Sequence, residues 1–195
     1  MVKTAAHICA SCLLDALSKA FVYPWNGIDE TTEALRALSK EQRGAYDEQI
    51  DAVLDSIDQF EDLTAAQLAY TRLFIGSFRM EAPPYGSYYL DADHMLYGQM
   101  EVEVRSVFEQ FGIQLGPDEK VPADHLRYLL AFLSLLAQRY EETGEEAFAE
   151  AFVDFRAEYV LCWIGSFKEL VHKYAEQPYY RLLVDLIVDV LTEDA

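Results

Sequence analysis

Basic residues are scarce in this chain. Of its 195 residues, 15 are lysine or arginine against 34 aspartate or glutamate, so the formal net charge is −19. Nucleic-acid binding depends on clustered Lys and Arg that neutralise phosphates and release counterions. The composition therefore argues against a nucleic-acid partner and favours a partner that is itself basic. The alternative is that the carboxylates only keep an apolar protein soluble.

Long apolar runs are also missing. The longest candidate, residues 129–137, is well short of the roughly 20 residues that cross a bilayer. Asp15 interrupts the apolar stretch near the N-terminus. We therefore expect no signal peptide, no membrane insertion and a cytoplasmic protein.

Cysteine is rare, with Cys9, Cys12 and Cys162 forming an odd set that cannot be a disulfide framework in a chain of this size. Cys9 and Cys12 form a Cys-x-x-Cys pair with His7 nearby, but a closed zinc site needs four ligands and no second pair exists. Both also fall on the apolar stripe of a predicted helix, where cysteine behaves as a small hydrophobe. Burial is the favoured interpretation, over a metal or redox role.

Motifs that carry catalysis are absent. The sequence has no Walker-type or Gly-x-Gly-x-x-Gly loop, and no two of its four histidines have the i, i+4 spacing of metal ligands. No nucleophile with a base and no paired carboxylates stand out. We predict a non-enzymatic protein without a cofactor; a nucleotide hydrolase is the enzyme alternative.

Helical periodicity runs through the sequence, whereas a sustained alternation of period two does not occur. Residues 4–21 form the first amphipathic pattern, and residues 126–140 are apolar nearly all round, which predicts a buried central helix. Aromatic stripes in 148–159 and 163–174 are typical of core. We predict an all-α fold, a single globular bundle of about nine or ten helices over residues 1–195.

Several residues mark helix ends. Ser39 with Gln42, and Thr64 with Gln67, have the spacing of capping boxes. Further signals predict helix ends at Gly112 and Gly144, a helix start at Pro178, and a helix from Leu96 to Phe111.

One segment departs from the helical pattern. Residues 82–91 read Ala-Pro-Pro-Tyr-Gly-Ser-Tyr-Tyr-Leu-Asp. The prolines fix φ, Gly86 admits a conformation that a side chain would forbid, and the tyrosines offer flat faces with polar tips. This rigid aromatic loop suits the binding of an extended segment. It lies between Tyr-Thr-Arg-Leu-Phe-Ile-Gly at 70–76 and Pro-Ala-Asp-His-Leu at 122–126.

In this order and spacing, the three segments resemble the TorD/DmsD/NarJ family of cytoplasmic chaperones, which mature molybdenum-containing redox enzymes exported by the twin-arginine pathway. The resemblance continues in Trp-x-x-x-Phe at 163–167 and Ala-x-x-Pro-Tyr-Tyr at 175–180. It implies a chaperone that binds the twin-arginine leader and apo catalytic subunit of a molybdoenzyme of the dimethyl-sulfoxide-reductase type. The chain itself has no Arg-Arg pair, so it is not expected to be a cargo. Monomer and domain-swapped dimer both stay open.

A leader joins a basic segment to a moderately apolar one, so its receptor needs carboxylates beside an aromatic groove. The resemblance implies that the leader-binding residues are Tyr70, Leu73, Phe74, Pro83, Pro84, Tyr85, Ser87, Asp124 and His125.

These positions also have structural explanations. Asp124 can cap the helix that begins at His125, and His125 can bond a neighbouring backbone group. Tyr70, Leu73 and Phe74 can be ordinary core.

The sequence departs from the family pattern at four positions. Val121 and Leu129 stand where the family often has acidic residues, Tyr85 where it often has tryptophan, and Gly165 where it has proline. The first two changes suggest a different leader preference or reliance on the folded body of the client. Two other functions stay open: a NarJ-like assembly factor for a non-exported, membrane-bound reductase, and a helical adaptor without a chaperone role.

Overall fold

Helices follow one another along the chain in the computed structural model, which describes residues 4–24, 29–76, 79–91, 94–116 and 119–193. The helices are α1 Thr4–Ser18, α2 Asp29–Ala37, α3 Lys40–Arg43, α4 Asp47–Ile57, α5 Leu63–Tyr70, α6 Gly86–Leu90, α7 Gln99–Gln110, α8 Leu126–Thr143, α9 Glu146–Arg156, α10 Cys162–Tyr174 and α11 Pro178–Thr192. Nine of those in the described ranges have eight or more residues, and no strand occurs there. The predicted all-α fold is confirmed.

The core is built around α8, as its apolar circumference predicts. This helix packs between α1 and α9, while α11 packs against α4 and α10. Leu129, Leu130 and Leu133 of α8 are fully buried. Burial of each such side chain stabilises the fold by about 1.5–3 kcal/mol relative to exposure. No helix among the described residues is both long enough and apolar enough to cross a membrane.

The capping box at Ser39 is confirmed. Gln42 N–H donates to Ser39 Oγ at 3.3 Å, and Ser39 N–H donates to Gln42 Oε1 at 2.8 Å. It opens only the short α3, since a 3₁₀ turn separates α3 from α4. The second predicted box was wrong: Asp62, rather than Thr64, caps α5, and its Oδ1 accepts from Ala65 N–H at 2.8 Å. Asp62 takes the cap because its extended backbone is what an N-cap requires.

Three of the four other predicted helix ends are confirmed by the structure. Gly112 and Gly144 have φ of +73° and +68°, which confirms them as helix ends, and Pro178 is the first residue of α11. The predicted start at Leu96 was wrong, because α7 begins at Gln99. Tyr97 has φ of +62°, which a right-handed helix cannot include.

Two five-residue π turns extend the helices in a way that the periodicity did not reveal. One follows α5 at Thr71–Ile75, and the other joins α9 to α10 at Ala157–Leu161. A π turn shifts the residues that follow it around the helix axis. Leu73 and Phe74 lie in the first turn, and both are buried in the core.

Candidate functional site

The loop after α5 meets the start of α8 through an isolated antiparallel β-bridge between Tyr85 and His125. Leu126 N–H donates to the Pro84 carbonyl at 2.8 Å, and Gly86 N–H donates to the Asp124 carbonyl at 3.2 Å. The two segments that the sequence singled out are therefore bonded to each other, backbone to backbone.

A buried side-chain bond reinforces the bridge. Asp124 is 0% exposed, and its Oδ2 accepts from Ser87 N–H at 2.7 Å and from Ser87 Oγ. The other carboxylate oxygen, Oδ1, is buried without a partner among the described residues. Ser87 lies in the first turn of α6, so Asp124 caps α6. The alternative that Asp124 caps α8 is wrong, because His125 does so: its Nδ1 accepts from Arg127 N–H at 3.1 Å.

Burial shifts the pKa of both residues. It raises the pKa of Asp124, against the lowering effect of the Ser87 hydrogen bonds. It lowers the pKa of His125 to about 3, and the positive charge of Arg127 acts in the same direction. His125 is therefore a neutral imidazole at physiological pH, with Nδ1 as acceptor and the proton on Nε2.

Aromatic rings form the floor beneath this bridge. Tyr70 and Phe74 have ring centroids 5.1 Å apart, and Phe21 lies 5.5 Å from Phe74 and 6.4 Å from His125. The Tyr70 hydroxyl donates to the Phe21 carbonyl at 2.7 Å. Phe21 thus connects Tyr70 and Phe74 to His125. Sequence reasoning placed Phe21 only in the core, and no signal distinguished it from the other apolar residues of its stripe.

The predicted residues differ in exposure. Tyr85 is half-buried, and the other eight are buried. The Tyr85 ring stands edge-on to His125, with centroids 4.7 Å apart, and the centroid of the Tyr128 ring lies 6.4 Å from that of His125. The structure thus shows a closed aromatic cluster with Tyr85 at its mouth rather than an open groove.

Gly86 has a different role from the one predicted. Its φ is not positive, so its conformation is open to other residues. A Cβ atom there would instead lie 2.1 Å from Met100 Sδ and 3.0 Å from Trp163 Nε1. The second half of the predicted loop is the short helix α6, and Tyr89 from α6 stacks on Trp163 at 5.2 Å. Close packing, not backbone freedom, requires the glycine.

The Cys-x-x-Cys pair is described only in part. Cys12 is a half-buried free thiol, and Gln42 Nε2 donates to its Sγ at 3.3 Å. The side chains of His7 and Cys9 lie outside the described residues. Within the part of the chain that the structure describes, no group of three His, Cys, Asp or Glu side chains is arranged to hold a metal ion.

Comparison with known proteins identifies the fold and the family. The family model described as nitrate reductase delta subunit matches residues 29–169. The chain belongs to the TorD/DmsD/NarJ family. It is 30% identical over 147 residues to the chaperone protein TorD of Vibrio vulnificus, covering 71% of this chain and 68% of the relative. This relative and the DmsD protein described next are both named as chaperones, which confirms the prediction of a non-enzymatic maturation chaperone.

One further relative agrees with this membership, and one solved structure shares the fold. The Tat proofreading chaperone DmsD of Salmonella paratyphi A is 31% identical over 118 residues, or 60% of this chain and 54% of the relative. A crystal structure of a putative redox enzyme maturation protein from Archaeoglobus fulgidus superposes with a TM-score of 0.62, covering 93% of each chain at 23% identity. The latter likeness concerns the fold alone.

Proposed function

We propose that this chain is a cytoplasmic chaperone that binds the twin-arginine leader and apo catalytic subunit of a molybdenum-containing oxidoreductase of the dimethyl-sulfoxide-reductase type. It holds them until the cofactor is inserted, before export. The bridge between Tyr85 and His125 carries the proposal, because it joins the Pro-Pro-Tyr loop to the Asp-His segment above an aromatic cluster. Family membership and the net charge of −19 agree with it.

The leader would enter at Tyr85, the exposed edge of the cluster. Its apolar segment would then reach Phe74 only after the loop separates from α8. That separation breaks two backbone hydrogen bonds, Leu126 to Pro84 and Gly86 to Asp124, and both hydrogen bonds from Ser87 to Asp124 Oδ2. A neutral hydrogen bond contributes a net of about 0.5–1.5 kcal/mol, and one to a charged group about 1.5–3 kcal/mol. Burial of several apolar leader side chains, at about 1.5–3 kcal/mol each, offsets this cost.

Asp124 supplies the charged element in this proposal. Its Oδ1 has no partner among the described residues, so a leader guanidinium that entered after opening would meet a carboxylate oxygen free to accept. Loss of one charge-assisted hydrogen bond costs roughly 1.5–3 kcal/mol, about ten- to a hundredfold in affinity. Asp124→Asn is expected to weaken leader binding by that amount.

Calorimetric titration with leader peptides from candidate molybdoenzymes tests the proposal. Each peptide is compared with its Arg-Arg to Lys-Lys and Ala-Ala variants. Tyr85→Ala is expected to weaken binding about tenfold, since aromatic contacts with a cation or an apolar side chain contribute on the order of 1 kcal/mol or more. Tyr174→Ala, which removes a half-buried tyrosine at the end of α10, is the matched control.

The NarJ-like alternative is favoured by the family description, nitrate reductase delta subunit. Under this alternative, the chain binds the catalytic subunit of a non-exported reductase, and the Arg-Arg pair does not matter. Equal affinity for the Arg-Arg and Ala-Ala peptides, or no leader binding at all, would reject leader recognition. A pull-down of catalytic subunit with its leader deleted then tests the NarJ-like function.

A further inference from the structure

A cation of the chain itself, Arg127, lies two residues after His125, the bridge partner of Tyr85. Arg127 lies in the first turn of α8, and its Cζ is 4.3 Å from the centroid of the Tyr128 ring. Its Nη2 donates to Glu119 Oε2 at 3.2 Å and to the Tyr128 hydroxyl at 2.6 Å. The guanidinium thus contacts an aromatic face and a carboxylate, the two groups that bind arginine side chains in proteins.

Groups other than Arg127 hold this carboxylate in place. Val121 N–H donates to Glu119 Oε1 at 3.2 Å. A hydrogen bond from the Tyr128 hydroxyl is the main cause that lowers the pKa of Glu119, and Arg127 contributes less. Because the backbone and Tyr128 fix Glu119, the acceptor stays in position when Arg127 leaves.

Arg127 also acts on the predicted site electrostatically. Burial, followed by the charges of Asp124 and Tyr97, raises the pKa of Tyr85 to about 12, and the positive charge of Arg127 opposes this shift. The positive charge of Arg127 would therefore also repel a leader arginine that approaches Tyr85.

We propose that Arg127 occupies, in the free chaperone, a guanidinium site formed by Glu119 and the Tyr128 ring, and that an arginine of the client leader displaces it. This inference rests on the proposed leader binding. The resident ion pair reaches solvent, because its side chains are 25% and 30% exposed. Contact with water weakens such a pair, so that another cation can exchange with Arg127. The entering arginine gains the same carboxylate and ring, and Arg127 turns to solvent.

Arg127→Ala and Arg127→Gln test the inference in leader-peptide titrations. Both variants are expected to bind the Arg-Arg peptide about two- to fivefold more tightly, because the competitor is gone. The gain is expected to shrink at high salt. Arg139→Ala is the matched control, since Arg139 pairs with Glu142 at 3.6 Å on the exposed face of the same helix. It is expected to leave affinity unchanged.

Glu119→Gln completes the test as a double-mutant cycle. Alone it is expected to weaken binding of the Arg-Arg peptide about tenfold, the loss of one charge-assisted hydrogen bond. In its background, Arg127→Ala is expected to give less than half of its usual gain, because the contested acceptor is missing. Thermal unfolding of each variant separates binding effects from loss of fold.

Two results would overturn the inference: unchanged or weaker binding by both Arg127 variants, or the full gain retained in the Glu119→Gln background. Neither affects the proposed function, which the wild-type comparison of Arg-Arg with Lys-Lys peptides tests separately. If wild-type protein binds no leader, the proposed function fails first, and this inference fails with it.

Discussion

Asp124 Oδ2 accepts a hydrogen bond from the backbone N–H of Ser87 at 2.7 Å, although the two residues are 37 positions apart. The acceptor Asp124 lies just before α8, and the donor Ser87 lies in the first turn of α6, so the bond caps α6. Together with the backbone bonds on either side of Tyr85, it holds the Pro-Pro-Tyr loop against the Asp-His segment. One buried carboxylate therefore connects the two halves of the candidate site.

Removal of this cap is expected to destabilise the protein. Asp124→Ala leaves Ser87 N–H buried without an acceptor, which costs about 1–3 kcal/mol. Asp124→Asn keeps an acceptor and removes a charge that burial disfavours, so its cost is expected to stay under about 1 kcal/mol. Urea unfolding measures both.

Asp62→Ala is the control for this prediction, because Asp62 caps α5 at an exposed position. Water can satisfy the freed N–H groups there, so the loss is expected at the low end of the usual range of about 0.5–2 kcal/mol. An Asp124→Ala variant as stable as Asp62→Ala would show that the buried bond contributes nothing beyond an ordinary cap.

His125 is expected to make the fold less stable in acid. Its pKa is about 3 in the folded protein because of burial, against about 6.5 in the unfolded chain. Between these values the unfolded state binds a proton that the folded state does not, so stability falls as the pH falls below 6.5. From pH 7 to pH 5 the loss from this residue is about 2 kcal/mol.

Urea unfolding of His125→Asn at several pH values checks this effect. Asn keeps an N-cap acceptor, so any packing loss is the same at each pH, and only the pH dependence changes. The raised pKa of Asp124 favours the folded state as the pH falls, which opposes the effect of His125. Both proteins contain Asp124, so the difference between their pH curves excludes its contribution. His172→Gln, which removes an exposed histidine, is the control. It is expected to lose stability between pH 7 and pH 5 as the wild type does, because His125 is still present. Parallel curves for wild type and His125→Asn would contradict the prediction.

Gly86→Ala and Gly165→Ala are expected to change the stability of the protein in opposite directions. At Gly86 the new Cβ meets Met100 Sδ at 2.1 Å, and Met100 is 4% exposed, so the core must repack at a cost of about 1–3 kcal/mol. At Gly165, in α10, nothing lies within 4 Å. There alanine is expected to stabilise by about 0.5–1 kcal/mol.

Thermal or urea unfolding of the two variants tests this contrast. Met100→Ala combined with Gly86→Ala is expected to cost less than the sum of the single changes, because it removes the clashing sulfur. Additive losses would mean that the strain lies elsewhere, for example against Trp163.

Leader affinity is expected to weaken as salt rises, because a basic peptide approaches a chain of net charge −19. Screening shortens the Debye length from about 30 Å at 0.01 M to about 8 Å at 0.15 M. Titrations over this range measure the slope, and a neutral peptide of the same length is the control. Equal affinities for the basic peptide at both salt concentrations would remove charge attraction from the binding model.

The periodicity predicted the helical class and the central position of α8, because apolar residues at helical spacing must be buried on some neighbour. It missed the π turn after α5 and the late start of α7, since both depend on backbone dihedral angles that residue spacing does not reveal. The motifs singled out three segments, and the β-bridge brings two of them together. They did not predict Phe21, whose contact with His125 joins positions distant in the chain.

Residue types and their order were enough to predict the all-α class, the net negative charge and the family, because these follow from local pattern and composition. The environment of each candidate residue came from the tertiary structure. Asp124 caps α6 rather than α8, and Gly86 is required by Met100 rather than by its own φ. Only packing shows that eight of the nine candidate residues are buried. The physical reason is that exposure, pKa and hydrogen-bond partners depend on side chains that folding brings together from distant positions.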